Sequence, residues 1–131
     1  MSAILLDTHA FIWLVEDNPK LPKLVKERIV ATDNIFVSIA SFWEIGIKLK
    51  KQQIFLNCDF EQIESIFLAT DLQLLPISIQ DTIQQYNLPF YLSDHKDPFD
   101  RIIISQAINR NIPVVTKDQA FDVYPIEKVW S

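Results

Sequence analysis

Short, continuous apolar runs recur along the 131-residue chain and are separated by amphipathic stretches. The runs predict strands buried on both faces, at 3–6, 35–37, 72–77, 113–116 and within 123–130. The amphipathic stretches predict helices, one that begins at 59 and others over 8–15, 21–32, 38–51, 78–86 and 98–111. Strands that alternate with helices are typical of a parallel sheet with helices on both faces. We therefore expect one α/β domain over residues 1–131, a three-layer α/β/α sandwich around a mainly parallel sheet of about five short strands.

Capping signals support three of the helix starts. Ser38 is a suitable N-cap residue for the third helix, and Asp59 with Gln62 has the spacing of a capping box. Asp97 precedes Pro98, and proline is favoured at the first position of a helix. The helix that begins there carries a run of isoleucines at 102–104, so its start is expected to be held against the core.

The chain has a single glycine, Gly46. Loops that bind phosphates through glycines need several of them close together, so Rossmann-type dinucleotide binding and P-loop nucleotide hydrolysis are excluded. Glycine is costly inside a helix, so Gly46 either permits the close approach of another element or has no special role. Left-handed backbone positions must be occupied by other residues, and we expect them at Asn34, Asn57, Asn87 and Asn111.

The charge balance is acidic, with 12 basic and 17 acidic residues and a formal net charge of −5. Proteins that coat nucleic acid by bulk electrostatics are usually basic, so this class is disfavoured. The single cysteine, Cys58, excludes an intrachain disulfide and a cysteine zinc cluster, which favours a reducing cytosol. No apolar run approaches the ~18 residues that a membrane span needs.

Two aspartates follow predicted strands. Asp7 comes directly after the first strand, and Asp118 follows the fourth strand with one residue between them. Ligands of open α/β sheets bind beyond the carboxyl ends of the strands, so both side chains are expected at one edge of the sheet. The alternative is that each aspartate only caps the helix that follows it.

Glu44 is the only charged residue between positions 35 and 47. Apolar residues surround it in nearly every helical direction, so this helix is expected to be buried on most sides. A buried carboxylate loses its solvation and therefore needs a cation. Lys48, one helical turn later, is one candidate for that cation, and a bound metal ion is the other.

The fourth acidic position is Asp100, which falls in the first turn of its helix if Asp97 is the N-cap. The helix dipole alone would favour both carboxylates there. The functional interpretation makes Asp100 a metal ligand and Asp97 an auxiliary.

Four carboxylates from four separate elements repel one another without a counter-ion, and hard oxygen ligands suit Mg²⁺ or Mn²⁺. Such ions activate water and hold phosphate oxygens, which indicates phosphodiester hydrolysis.

Four segments that lie in order over nearly the whole chain resemble motifs of the PIN-domain family, specifically the VapC-type toxin ribonucleases of toxin–antitoxin pairs. They are LLDTHAFIW at 5–13, VSIASFWEIGIK at 37–48, HKDPFDRIIISQA at 95–107 and VVTKDQAF at 114–121. The resemblance implies a PIN-like fold and an endoribonuclease activity that depends on Mg²⁺ or Mn²⁺. It implies a catalytic metal site formed by Asp7, Glu44, Asp100 and Asp118. It further implies a homodimer and inhibition by a small antitoxin protein of the VapB kind.

Other residues near these motifs have expected roles of their own. Thr8 and Thr116 resemble the hydroxyls that support the carboxylates. Four basic residues near the ligands are candidates for contact with the RNA backbone, with a solvated face or local ion pairing as the alternative: Lys48, Lys96, Arg101 and Lys117. Arg101 has the further alternative of pairing with a carboxylate. His9 and His95 are expected to pack or to form surface hydrogen bonds, and Trp13 and Trp43 to lie in the core.

Two other functions are weighed against the nuclease. A phosphoacceptor receiver domain is also an acidic α/β fold, but it would need adjacent acidic residues after the first strand, where Asp7 stands alone. A non-catalytic domain of the same fold that binds a protein partner would not need the complete acidic set. Both alternatives therefore rank below the nuclease.

Overall fold

The computed structural model describes residues 2–91 and 97–130. Its five strands are β1 (Ala3–Leu6), β2 (Asn34–Ser38), β3 (Gln73–Leu75), β4 (Val114–Val115) and β5 (Lys128–Val129). They form one sheet in the order β3–β2–β1–β4–β5, and every neighbouring pair is parallel. Leu5 of β1 is in register with Phe36 on one side and with Val114 on the other. The predicted α/β class and the five short parallel strands are therefore confirmed.

Six helices connect or follow the strands, and each overlaps a predicted helix. They are α1 (Thr8–Val15), α2 (Lys23–Val30), α3 (Ile39–Lys50), α4 (Ile63–Leu68), α5 (Ile79–Asn87) and α6 (Pro98–Arg110). Two 3-10 turns, Phe60–Gln62 and Gln119–Val123, precede α4 and β5. In the part of the chain that the structure describes, none of these helices is long and apolar enough to cross a membrane.

The predicted helix caps are present. The Ser38 hydroxyl accepts a hydrogen bond from the N–H of Ala40 at 3.1 Å. The N–H of Asp59 donates to the side chain of Gln62 at 3.2 Å, as in a capping box. The Asp97 carboxylate caps α6 and accepts from the N–H groups at the start of that helix. These polar residues place the helix starts by satisfying N–H groups that have no partner within the helix.

Apolar side chains cover both faces of the sheet. Leu6 of β1 lies in one cluster together with Phe11 of α1 and Ile29 of α2. Leu5, which points to the opposite face, packs in a second cluster with Ile103 of α6. Successive residues of a strand point to opposite faces, so a continuous apolar run is needed to supply both clusters. This packing is the predicted three-layer α/β/α sandwich.

The single glycine lies where another element approaches closely. A Cβ atom at Gly46 would lie 3.1 Å from the ring of Phe60. The missing side chain therefore lets the turn before α4 pack against α3, which settles the two alternatives raised by the sequence.

The expectation for the asparagines is wrong at three of the four positions. Asn111 has a φ of 53° and ends α6, as expected. Asn34 begins β2 instead, and neither Asn57 nor Asn87 has a positive φ. Left-handed backbone occurs instead at two other positions, Asp17 and Gln52. The chain leaves α5 in an extended conformation at Leu88, so no left-handed residue is needed there.

Candidate metal centre

The candidate site lies at the point in the sheet where the order of strand addition reverses, between β1 and β4. The chain adds β2 and β3 on one side of β1 and later adds β4 and β5 on the other side. The chain therefore leaves β1 and β4 in opposite directions, and their carboxyl ends form the crevice in which open α/β folds bind ligands. A cleft of about 650 Å³ lies there, and acidic residues from several elements line it: Asp7, Glu44, Asp97, Asp100 and Asp118.

Asp7 connects the end of β1 to the start of α1. Its N–H donates to the carbonyl of Val115 at 3.0 Å, and its carboxylate accepts from the N–H of Ala10 at 2.8 Å. The pKa of Asp7 is raised to about 6, chiefly by burial. Hydrogen bonds from Thr116 and from the N–H of Ala10 oppose this rise, and the nearby carboxylates of Glu44 and Asp118 add to it. Asp7 therefore caps a helix and also forms part of the acidic cleft.

Glu44 is 2% exposed and has partners on both carboxylate oxygens. The Thr8 hydroxyl donates to Oε1 at 2.5 Å, and the ammonium of Lys48 lies 2.5 Å from Oε2. The hydroxyls of Thr8 and Ser41 are 3.0 Å apart, so Ser41 extends this chain of hydrogen bonds. The sequence pattern did not single out Ser41, although it precedes Glu44 by three residues and so shares its face of α3.

Asp97 and Asp100 join Glu44 at the start of α6. One carboxylate oxygen from each of the three residues lies within 4.8 Å of the others, a spacing that suits a shared metal ion. Lys48 also reaches Asp97, at 3.4 Å. Burial alone would lower the pKa of Lys48, but its bonds to Glu44 and Asp97 raise the pKa above its ordinary value. Asp97, which the sequence predicts as an auxiliary, thus lies within the acidic group.

Asp118 lies on the opposite side of the cleft, after β4. Its carboxylate accepts from the N–H of Ala120 at 2.9 Å and caps the 3-10 turn. Its own N–H donates to the Thr116 hydroxyl at 3.0 Å, and that hydroxyl in turn donates to Asp7. Thr116 therefore ties the ends of β1 and β4 together. Asp118 shares the cleft with the three-carboxylate group formed by Glu44, Asp97 and Asp100, but it is not a member of that group.

The expected RNA contact of Arg101 is wrong. Its side chain is 2% exposed. The guanidinium donates to three main-chain carbonyls of the segment 85–89 and lies 4.0 Å from the ring centre of Phe90. Successive residues of a helix point about 100° apart, so the neighbour of Asp100 faces α5 instead of the cleft. Within the described part of the chain, the acceptors of the guanidinium are carbonyl oxygens, and it pairs with no carboxylate there.

The remaining basic candidates differ in their surroundings. Lys117 is exposed and lines the cleft. Lys48 also lines the cleft, but its ammonium is engaged with Glu44 and Asp97, which is the local ion pairing named as the alternative. Lys96 and His95 lie outside the described residues.

The two tryptophans that were expected in the core differ, because Trp13 packs against the core while partly buried and Trp43 does not. Trp43 is 65% exposed and packs edge-to-face on Phe99, with ring centres 5.3 Å apart, so its expected core position is wrong. Trp13 is half-buried and lines the cleft together with the exposed His9. The sequence pattern shows where apolar residues occur. Tertiary packing decides which of them are buried.

The donor chemistry of the cleft fits a divalent cation of the magnesium type. The carboxylates supply hard oxygen ligands. Five of them line the cleft, where Lys48 and Lys117 are the lysines, so acidic groups outnumber basic ones in this lining. Lys48 neutralises only part of this negative charge, because it pairs with Glu44 and Asp97. An acidic cleft of this composition can hold a cation and, through it, a phosphate group.

The sequence profile of the PIN domain family matches residues 4–127, so the chain belongs to the PIN domain family. Among solved structures, the chain is similar to one in DNA-bound VapBC from Salmonella typhimurium, with 21% identity, a TM-score of 0.72 and 98% of each chain covered. A chain of VapBC2 from Rickettsia felis, bound to a DNA fragment from its promoter, matches with 19% identity, a TM-score of 0.70 and 97% of each chain covered. VapBC-5 from Mycobacterium tuberculosis matches with 18% identity, a TM-score of 0.65 and 100% of each chain covered. No curated protein sequence matches the chain. At these identities the structural matches show a shared fold over the full length.

Proposed function

We propose that this protein is an endoribonuclease that depends on Mg²⁺ or Mn²⁺ and acts as the toxin of a type II toxin–antitoxin pair. The observation that carries the proposal is the set of carboxylates from four separate elements that lines one cleft of a PIN domain. Asp7, Glu44, Asp100 and Asp118 are the proposed catalytic ligands, and Asp97 joins them because its carboxylate lies with those of Glu44 and Asp100.

The chain's own groups organise this site before substrate binds. The Thr8 hydroxyl donates to one carboxylate oxygen of Glu44, Oε1. The other oxygen, Oε2, accepts from the ammonium of Lys48. Thr116 holds Asp7 and the backbone of Asp118 at the ends of neighbouring strands. Hydrogen bonds of this kind fix the orientation of carboxylate ligands. These hydrogen bonds, all from the chain's own groups, orient the proposed ligands.

A bound divalent ion would supply the positive charge that stabilises the phosphate and lowers the pKa of water. Asp100 and Asp118 both line the cleft, and either carboxylate can orient the attacking water. Lys117 is exposed on the rim, where its ammonium can meet a backbone phosphate. Part of the net charge of −5 then comes from the proposed metal ligands. We expect weak binding of RNA outside the site, because the rest of the surface is not strongly basic.

The proposed partners follow from the structural matches. The matched chains come from VapBC complexes, and a further match is described as a toxin–antitoxin complex from Klebsiella pneumoniae. We expect this chain to bind a small VapB-like antitoxin, to form a homodimer and to act in the cytoplasm. The exposed apolar side chains on α3 and α5, such as Trp43 and Ile79, are compatible with protein partners on that side.

The test is cleavage of mixed RNA by purified protein, with Mg²⁺ or Mn²⁺ and then with EDTA. We expect cleavage with the metal and none with EDTA. Asp7→Asn and Glu44→Gln should each reduce the rate by at least about a hundredfold, because each removes a charged oxygen ligand. Gel analysis of end-labelled RNA measures the rate.

Glu64→Gln is the matched control, because Glu64 is an exposed carboxylate on α4 outside the cleft. This variant should cleave at the wild-type rate. Equal cleavage by the Asp7 and Glu44 variants, or cleavage that EDTA does not affect, would reject the metal-dependent nuclease. A wild-type protein that cleaves no RNA in the mixture would favour the protein-binding domain instead.

A further inference from the structure

Two aromatic side chains of α1 stand at the rim of the acidic cleft. His9 and Trp13 are four residues apart and therefore lie on the same face of the helix. Their ring centres are 5.5 Å apart. Trp13 also packs against Trp130, with ring centres 6.1 Å apart, and this contact restrains the indole. The helix that begins at the Asp7 cap thus carries a supported aromatic surface next to the site.

A second groove, of about 370 Å³, adjoins the acidic cleft, and His9 and Trp13 line both. Its lining also includes several polar residues, which are Glu16, Asn18, Lys20, Gln53 and Asn57. The carboxylate of Glu16 accepts a hydrogen bond from the N–H of Asn57 at 2.7 Å. Side-chain amides offer hydrogen-bond donors and acceptors, as the edges of nucleobases do. We name this second groove the base groove.

We propose that the base groove binds an unpaired nucleobase of single-stranded RNA, which stacks on Trp13 while the backbone phosphates on either side of it contact Lys20 and Lys117. This inference rests on the proposed ribonuclease function and adds a substrate subsite to it. Aromatic rings beside a phosphate-binding site are the usual means by which proteins hold single-stranded nucleic acid.

The distribution of positive charge supports a nucleic acid strand that crosses both cavities. Lys20 lines the base groove and Lys117 lines the acidic cleft, and both are exposed. The two lysines therefore lie on either side of the His9–Trp13 pair, where backbone phosphates on both sides of a stacked base would pass. Ammonium groups provide this kind of contact without sequence preference.

The polarity of the groove favours a base over an apolar peptide. An apolar segment would be better matched by the surface around Trp43, which Ile47, Ile77 and Ile102 also line. Trp43 is itself 65% exposed, and its ring packs edge-to-face on Phe99. The molecule therefore carries two accessible tryptophans in different surroundings, and Trp43 is a matched control for Trp13.

The experiment measures RNA binding without cleavage. A hexaribonucleotide of mixed sequence, labelled with fluorescein, is titrated with protein in EDTA at low ionic strength, and anisotropy gives the Kd. Trp13→Ala should raise the Kd about tenfold, because one stacking contact is lost. Trp13→Phe retains an aromatic face and should stay within about threefold of wild type. Trp43→Ala should bind as the wild type does.

An abasic hexamer with the same backbone separates stacking from a loss of fold. Wild type and Trp13→Ala should bind this oligomer equally, since it has no base to stack. His9→Ala changes an exposed side chain, so it serves as a second variant that keeps the core intact, and it should weaken binding of the base-containing hexamer alone. The coupling between each variant and base removal is the quantity tested.

Three results would overturn the proposal that the base groove binds a nucleobase. They are equal Kd values for wild type and Trp13→Ala on the normal hexamer, an equal loss for Trp13→Ala on the abasic hexamer, and an equal loss for Trp43→Ala. A different result would reject the ribonuclease proposal and leave the base groove proposal standing. In that case no RNA is cut with Mg²⁺ or Mn²⁺, while the dependence of RNA binding on Trp13 persists in EDTA.

Discussion

Asp7 and Asp81 are both buried aspartates near the start of a helix, with 8% and 0% of their surface exposed, yet their surroundings are opposite. Arg110 donates to both carboxylate oxygens of Asp81, at 2.7 and 3.0 Å. Asn109 and the N–H of Ser78 each donate to it at 2.9 Å. Burial alone would raise the pKa of Asp81, but these hydrogen bonds hold it well below its usual range. Asp7 faces other carboxylates, and burial raises its pKa to about 6.

This difference distinguishes Asp81, a structural carboxylate, from Asp7, a proposed metal ligand. The Asp81 charge is matched within the chain, so it ties α5 to α6 and stabilises the fold. Among residues 2–91 and 97–130, no cation pairs with Asp7, and burial raises its pKa, so its ionised form destabilises the metal-free protein at neutral pH. A site that binds a cation must retain such unmatched charge, and it therefore costs stability until the cation arrives.

The largest expected effect is on Asp81. Asp81→Asn should lower the free energy of unfolding by about 3 kcal/mol, because Arg110 then loses its ionic partner in a partly buried position. Urea denaturation at pH 7 measures the change. Glu64→Gln, at an exposed position, should change the stability little. A loss below about 1 kcal/mol for Asp81→Asn would mean that the ion pair is not structural.

Metal binding should stabilise the protein by a comparable amount. Mn²⁺ at a hundred times its Kd is expected to raise the free energy of unfolding of the wild type by about 2.7 kcal/mol. Denaturation with and without Mn²⁺ measures this increment. The increment should vanish in Glu44→Gln and persist in Asp81→Asn. If Glu44→Gln retains the full increment, the metal binds elsewhere.

Asp7→Asn should act in the opposite direction to Asp81→Asn. The rise of the Asp7 pKa from 3.8 to about 6 corresponds to an upper limit of about 3 kcal/mol, so we expect a gain of about 2 kcal/mol. The gain should appear in EDTA at pH 8, where the wild-type carboxylate is ionised, and urea denaturation measures it. A variant that is less stable than wild type under these conditions would contradict the assignment.

The smallest effect is the pH dependence of stability in EDTA. Because its folded pKa is raised, Asp7 should add about 1 kcal/mol of stability as the pH falls from 7 to 5. The folded pKa of Asp81 is lowered, so its contribution is present above about pH 4 and is lost as the pH falls further. Denaturation curves at several pH values test both. Asp7→Asn should remove the first change, and Asp81→Asn should weaken the second.

Sequence reasoning found the parts of the site that depend on local signals. Asp7 follows a strand, Glu44 lies alone in an apolar helix, and Asp97 with Pro98 marks a helix start. Each signal acts over a few residues, so it is visible in the order of residues along the chain. The proposed ligands at these positions, together with Asp118, all line one cleft.

What sequence reasoning missed depends on contacts between distant elements. Arg101 reads as a free cation beside a ligand, but the segment 85–89 covers it with carbonyl oxygens. Trp43 reads as a core residue, but no described element covers most of its ring, and it is 65% exposed. The bonds that make Asp81 structural come from α6, almost thirty residues later in the chain.

The sequence by itself determined the α/β class, the five strands and the acidic positions at their carboxyl ends, because periodicity and capping are local physical effects. Only the tertiary structure decided which charges are matched. Asp7 and Asp81 are the same residue type at similar places in a helix, and neighbours distant in sequence make one a candidate ligand and the other a structural ion pair. The energy of a buried charge depends on its full surroundings, and the chain order does not show them.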